Sequence, residues 1–331
     1  MPEKSYRDAI RDAIFEEMER DESVVIMGED IGVYEGTFRI TAGMLDKFGE
    51  NRVIDTPIAE AGIVGTAIGM AMTGMRPIVE MMTFNFALVA ADQILNHAAK
   101  IRYFSGGQLD MPLVIRGPHG AGVGLSAQHS QSFESFFGHF PGLIVVAPST
   151  PADAKGMLKT AIRGKDPVIF LENAALYSIK GEVPDDPEIT VPFGVSAVAR
   201  EGSDVTIVAS GKMVHLALAA AKTLRDEDGI DCEIIDLRAI RPLDVGPAIE
   251  SVRKTHRAVV VQEQWKPFGF AAEIASSIMD EAFDELDAPV VRVTGADVPM
   301  PYARNLELAA VPHEEDVIEA VRNVAYANGV E

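Results

Sequence analysis

Short apolar runs separated by helical patterns constrain the fold of this chain more than any other feature. SVVIM (23–27), RPIVEMM (76–82), PLVIR (112–116), LIVVA (143–147) and PVIFL (167–171) are close to continuously hydrophobic rather than alternating. Strands of that kind are buried on both faces, and when helices separate them they form a parallel sheet covered on each side. The helical patterns lie at 60–74, 86–100 and 151–163. The third is marked by Thr150 as cap, Pro151 at the first helical position and Asp153 in the first turn. A further helix opens the chain, with Ser5 as cap and Tyr6, Ile10, Ile14 and Met18 repeating on one face.

Beginning at Gly181, the segment GEVPDDPEITVP is rich in proline and acid and reads as an exposed linker. The alternation then resumes, with strands at 204–210, 232–237, 257–264 and 289–295 and helices at 213–226, 270–283 and 314–327. A length of 331 residues suits two domains. The expectation is an α/β chain of two domains with mostly parallel sheets flanked by helices. The first domain spans 1–180, the linker 181–203, and the second, smaller domain 204–331.

The formal net charge of −21 argues against nucleic acid or an anionic membrane surface as a partner, since both select basic patches. It leaves room for a basic protein partner, and it disfavours a polyanionic cofactor unless positive charge is supplied locally. The single cysteine, Cys232, rules out an intrachain disulfide and a cysteine-rich zinc site; in CEIIDL it reads as core filler. MPEKSYRDAIRDAIFEE has no apolar signal core, and the longest uncharged apolar run, Ala61–Met75, is too short and glycine-rich to span a bilayer. A cytoplasmic protein is expected.

Within this frame Asp55–Gly69, DTPIAEAGIVGTAIG, holds the most pointed chemistry. A strand end and a proline turn lead to one carboxylate, Glu60, opening an uncharged helix. An acid entering so apolar a segment must be paired or shift its pKa, and a buried tunable acid is what general acid/base work requires. The plainer reading is an acid in a first turn, favoured by the helix dipole. Spacing alone favours the plainer one.

RGPHGAGVGLSAQHSQ (116–131) also has two readings. Gly122, Gly124 and Ala127 match G-x-G-x-x-A, but five residues separate the preceding strand from Gly122, and the acid expected at the end of the next strand is missing. Alternatively the run is a loop carrying His129 to a cleft, with Gln128, Ser130 and Gln131 able to fix its tautomer. His97 and His215 fall in helical patterns and read as structural; His119 and His139 are loop residues. Phe84 and Phe86 stand at a strand-to-helix junction, where a flat ring can support a planar heterocycle. No Walker run, H-E-x-x-H or G-x-S-x-G elbow occurs.

DTPIAEAGIVG, RPIVEMMTFNFALVAADQILNHAAK, AAKIRYFSGG, AQHSQSFE, PGLIVVAPSTPADAKG, DPVIFLEN, LRAIRPLD and VTGADVPMPYA, in that order, resemble the β subunits of thiamine diphosphate-dependent 2-oxo acid dehydrogenases. MTFNF and RGPHG are most similar to the pyruvate dehydrogenase type. The resemblance implies a transketolase-like architecture, with a pyrimidine-binding domain followed by a C-terminal domain for subunit contacts. It places the family's catalytic glutamate on Glu60, which bonds the pyrimidine ring nitrogen and promotes the imino tautomer that deprotonates the thiazolium carbon. Phe86 matches the residue packing on the pyrimidine, with Ile58 and Met82 lining the same pocket. His129 matches the histidine facing substrate and lipoyl group, where it shuttles a proton. A structural potassium site, largely of main-chain oxygens, would fall on Leu113, Ala161, Ile162, Gly164 and Asp166.

Family members with a complete cofactor site hold magnesium and the diphosphate with a GDG segment and paired asparagines; this chain has neither. The resemblance therefore implies that Mg2+ is bound through an α subunit, in an α2β2 heterotetramer acting with a lipoyl-bearing acyltransferase core. The implied reaction is oxidative decarboxylation of pyruvate with acetyl transfer to the lipoyl arm. An acetoin or branched-chain 2-oxo acid dehydrogenase subunit differs only in substrate. An NAD-dependent oxidoreductase using the 122–127 glycines and a non-catalytic scaffold subunit are the alternatives of other classes. The tail AYANGVE does not match the family's docking pattern and assigns no docking residues.

Overall fold

Ser5 caps the opening helix by accepting the Asp8 amide at 3.1 Å, and α1 (Tyr6–Arg20) buries Tyr6, Ile10, Ile14 and Met18 as the spacing predicts. Each buried aliphatic side chain of this kind contributes roughly 1.5–3 kcal/mol. The computed structural model describes residues 1–325. They form two compact units, Met1–His119 with Phe136–Phe193, and Gly120–Ser135 with the chain from Gly194 on.

In the first unit the strands are β1 (Glu3–Ser5), β2 (Val24–Gly28), β3 (Val53–Asp55), β4 (Arg76–Glu80), β5 (Val114–His119), β6 (Ile144–Val146), β7 (Val168–Asn173) and β8 (Lys180–Glu182). Six of them form a parallel sheet in the order β6-β7-β5-β4-β2-β3. The helices are α1, α2 (Met44–Phe48), α3 (Glu60–Met72), the short α4 (Ile101–Phe104), α5 (Glu134–Gly138), whose first two residues are counted with the other unit, and α6 (Pro151–Arg163). Thr150 caps α6 as expected, accepting the Asp153 amide at 3.1 Å. Lys155 and Lys159 of α6 are buried, and both are paired with Glu16 of α1. Buried lysines are tolerated only with such partners.

The expected helix at 86–100 is not continuous. A 3-10 turn over Phe84–Leu88 gives way to a π-helical turn over Gln93–Ala98 and then to α4. Ala87, Ala90, Ile94 and Ala98 all remain buried through these changes of winding, so the core contact is kept while the regularity is lost. Gln93 also packs against Gly65 of α3, where a β-carbon would lie 3.3 Å from its Oε1.

Segment 181–203, expected as an exposed linker, is divided between the two units. β8 pairs antiparallel with β1, Val183 is buried, and Lys159 and Thr160 of α6 donate to the carbonyls of Pro187 and Val191 at 2.6 and 2.7 Å. The proline-rich stretch is thus strapped along α6, and the units part at Phe193/Gly194.

The second unit contains β9 (Ala197–Arg200), β10 (Val205–Ala209), β11 (Cys232–Asp236), β12 (Ala239–Arg241), β13 (Ala258–Trp265) and β14 (Val291–Gly295). Five of these form a sheet in the order β14-β13-β10-β11-β9, parallel except for β9 at its edge. Its helices are α7 (Lys212–Glu227), α8 (Gly246–Thr255), α9 (Phe270–Ala282), α10 (Arg304–Ala310) and α11 (Glu314–Val324). Cys232 lies in the core with Val205, Ile207 and Val259. The tail 326–331, with the last residues of the helix expected at 314–327 and the tail weighed for docking, lies outside the described residues.

Candidate active site

Because the first sheet is parallel, its strand ends collect along one edge, the position where α/β sheets bind ligands. Acids concentrate there: Glu29 follows β2, Asp55 ends β3, Glu60 opens α3, Glu80 ends β4 and Glu172 lies near the end of β7. Glu60 is only 7% exposed although it is the first residue of its helix, and Ala59 before it offers no side-chain cap. The helix it opens is otherwise uncharged, so the acid stands at a favourable dipole end in an apolar setting.

Glu29, directly after β2, is also buried. Burial pushes its carboxyl above the ordinary glutamate range, with the charge of Glu60 adding to the rise, so two buried carboxylates share one locus. The available signal was an acid set directly after a fully buried apolar strand. Asp55 differs from both in serving the backbone. Its carboxylate takes the amides of Gly32 and Val33 at 2.6 and 3.1 Å and fixes the loop after β2.

Beneath this edge Arg116 of β5 is completely buried between Glu80 and Glu172, bonding both, and Tyr177 donates to Glu172 at 2.8 Å. Burial pushes the Glu80 carboxyl up despite Arg116, while the two carboxylates outweigh the burial of Arg116 and hold its guanidinium charged. One cation against two carboxylates makes a rigid floor.

Phe86 is half-buried and Phe84 fully buried, the latter edge-on to Phe137 with ring centroids 5.4 Å apart. Phe84 is therefore core, and Phe86 is the ring left at the strand-to-helix junction. Met82 is half-buried and Ile58 is 79% exposed. The first unit thus presents a buried acid at the head of α3 and, after β4, the half-buried Met82 and Phe86, residue types suited to a flat heterocycle carrying a basic nitrogen.

His129 belongs to the other unit. It ends a 3-10 turn over Ala127–His129, half-buried, with Nδ1 3.0 Å from the carbonyl oxygen of Gln128. A carbonyl can only accept, so that bond places a proton on Nδ1. Glycines 122 and 124 do not form a phosphate cradle. Both amides already donate to the Glu307 carboxylate, at 3.1 and 3.0 Å, which removes the main support for a dinucleotide site there.

The oxygens considered for potassium are largely engaged within the chain. Arg76 donates to the carbonyls of Ile162 and Gly164 at 2.9 and 2.7 Å. The Gly164 amide donates to Ala161, the Val168 amide to Leu113 at 2.8 Å, and the Asp166 carboxylate pairs with Arg102. A guanidinium thus already supplies positive charge to the carbonyls of Ile162 and Gly164, two of the five residues. Among the described residues no group of three or more His, Cys, Asp or Glu side chains is arranged to hold a metal. No helix among them is long and apolar enough to cross a membrane.

Residues 2–180 match the family described as transketolase, pyrimidine binding domain, and residues 194–317 match transketolase, C-terminal domain. Among solved structures, a split-gene transketolase described as an inactive beta4 tetramer superposes with a TM-score of 0.77 at 26% identity, covering 97% of this chain and 98% of that one. The fold and the two matched families thus define a transketolase-like chain whose residues 2–180 belong to the pyrimidine-binding domain family. Proteins named pyruvate dehydrogenase E1 component subunit beta from Rickettsia felis and Rhizobium meliloti are 54% and 51% identical to it, over 97% and 98% of this chain and 98% and 71% of theirs. A mitochondrial protein of that name, beta-1, from Arabidopsis thaliana is 50% identical over 98% of this chain and 90% of its own length. The chain belongs to the family of pyruvate dehydrogenase E1 component beta subunits.

Proposed function

We propose that this chain supplies the pyrimidine half of a thiamine diphosphate site shared with an α subunit, and that the pair oxidatively decarboxylates pyruvate and passes the acetyl group to a lipoyl-bearing acyltransferase. The observation that carries the reading is Glu60: a buried acid at the head of an uncharged helix, on the ligand-binding edge of a parallel sheet, in a chain of this family.

Bound there, the cofactor would supply the carbanion that attacks the 2-oxo acid. Glu60 would hold a proton against the ring nitrogen of its pyrimidine, and the apolar surroundings strengthen that charge-assisted bond by excluding water. Phe86, Met82 and Ile58 would enclose the ring. The large exposure of Ile58 in the single chain agrees with a pocket that a partner completes. His129 would move a proton at the substrate or at the lipoyl sulfur, its tautomer held by Gln128.

Magnesium and the diphosphate would be held by the α partner, which agrees with the missing GDG and Asn-Asn segments and with the description of the split transketolase beta tetramer as inactive. An α2β2 assembly in the cytoplasm, with the first domain serving the cofactor and the second the subunit contacts, completes the reading. Reconstituting the chain with an E1 α subunit and assaying pyruvate, 2-oxoisovalerate and acetoin tests it. Turnover of pyruvate well above the other two is expected, and preference for either alternative would reassign the substrate.

A further inference from the structure

The loop carrying His129 is gripped within the second unit by two buried carboxylates, neither of which the chemistry above uses. Glu307 of α10 has a fully buried side chain. Its Oε1 accepts the amides of Gly122 and Gly124, at 3.1 and 3.0 Å, and its Oε2 accepts Arg304 at 3.0 Å. The same guanidinium donates to the carbonyl of Gly122 at 3.1 Å, so acid and base together clasp one turn of the loop. Gly122 and Gly124 have φ of 105° and 74°, and this left-handed backbone is what turns two amides toward a single oxygen.

Glu263 of β13 holds the loop's two legs. Its Oε1 accepts the Ala121 amide at 3.3 Å and Lys212 at 3.1 Å, and its Oε2 accepts the Ser132 hydroxyl at 2.9 Å. The Gly120 amide closes the base on the carbonyl of Gln131 at 3.0 Å. His129 lies in sequence between the Gly124 and Ser132 anchors, on a turn that begins after Ser126 at φ 69°. Burial opposes charge on Glu307, but the Gly124 amide, Arg304 and the Gly122 amide outweigh it and hold the carboxyl below the usual range.

We infer that Glu307 is a positioning residue for the reaction, fixing the loop so that His129 is presented at the distance proton transfer requires. The inference rests on the role proposed above for His129. Its consequence is that the loop geometry is set by the second unit, through a carboxylate filling a glycine nest where an anion ligand could otherwise sit.

The test is a double-variant cycle on the reconstituted α/β enzyme, using His129→Ala, Glu307→Ala and the pair, with kcat, KM and the pH–rate profile measured for each. Misplacing a catalytic group by about 1 Å costs on the order of 10²-fold. Glu307→Ala is expected to lower kcat by about that factor, with KM for pyruvate and thiamine diphosphate affinity nearly unchanged, and to flatten the limb of the pH profile that His129→Ala also removes. The double variant should be no slower than His129→Ala alone. Glu307→Gln keeps the shape and an acceptor oxygen and should recover part of the loss, which keeps the test usable where the alanine variant folds poorly. Losses that multiply in the double variant, or full kcat in Glu307→Ala beside an impaired His129→Ala, overturn the positioning role alone. Full kcat in His129→Ala overturns the role of His129 as well.

Discussion

Arg116 and Glu172 meet side-on inside the first unit, Nε and Nη2 of the guanidinium each donating to one carboxylate oxygen, with neither side chain exposed. Glu80 occupies the remaining face of the same guanidinium. Fork-to-fork geometry of this kind fixes both partners as rigid bodies. β4, β5 and β7 are thereby locked at the edge where Glu29, Asp55, Glu60 and Glu80 collect.

Replacing Arg116 by Met leaves two buried carboxylates without their cation. Breaking a buried pair from one side costs about 3–5 kcal/mol. Urea unfolding should show a loss of that size, and Arg116→Lys should recover only part of it because a point charge cannot engage both oxygens of Glu172.

Glu29 gives a pH signature. Its folded-state value lies above its unfolded value, from burial and then from Glu60, so the folded chain binds the proton more tightly. Stability from this group is present at acid pH and is lost as pH rises through the interval above the ordinary glutamate range. Glu29→Gln removes that loss. Its melting temperature should exceed that of the native chain at neutral pH and match it below the interval; a constant difference across pH would contradict the shift.

Cys232 is buried in β11, and burial pushes its thiol up to about 12. Only the thiolate reacts with disulfide reagents. Ellman's reagent should therefore leave the folded chain unmodified at pH 8 and titrate one thiol after denaturation.

The Thr150 cap of α6 is a local test. Thr150→Ala frees the Asp153 amide, and the cost should be about 1 kcal/mol, read as a lower urea midpoint with an unchanged slope.

Much of this architecture was legible in the residues. The continuous apolar strands, the caps at Ser5 and Thr150 and the burial of Cys232 follow from local chemistry, and the structure agrees at each. The 86–100 segment failed because apolar spacing cannot distinguish a regular helix from one that switches winding to keep Ala87, Ile94 and Ala98 buried. In 181–193 the acids and Pro187 are exposed as their chemistry suggests, yet the carbonyls of Pro187 and Val191 accept from Lys159 and Thr160 of α6, a tertiary tie that composition does not reveal.

Glu60 was visible as a lone acid in an apolar helix, whereas the buried Glu29 of the first unit, and Glu263 and Glu307 of the second, were not. For the last two the partners lie far off in sequence, and only folding brings a carboxylate at 307 to amides at 122 and 124. Nothing local separates such an acid from a solvated one.

Calorimetric titration of thiamine diphosphate with magnesium tests the central claim most directly. It is carried out on the chain alone, on the chain with its α partner, and on that pair with Glu60→Gln. The account predicts no measurable binding to the chain alone and saturable binding to the pair. It also predicts that the Glu60→Gln pair retains cofactor binding but loses at least about 10²-fold in turnover. Saturable binding by the isolated chain, or undiminished turnover in the Glu60→Gln pair, would contradict it.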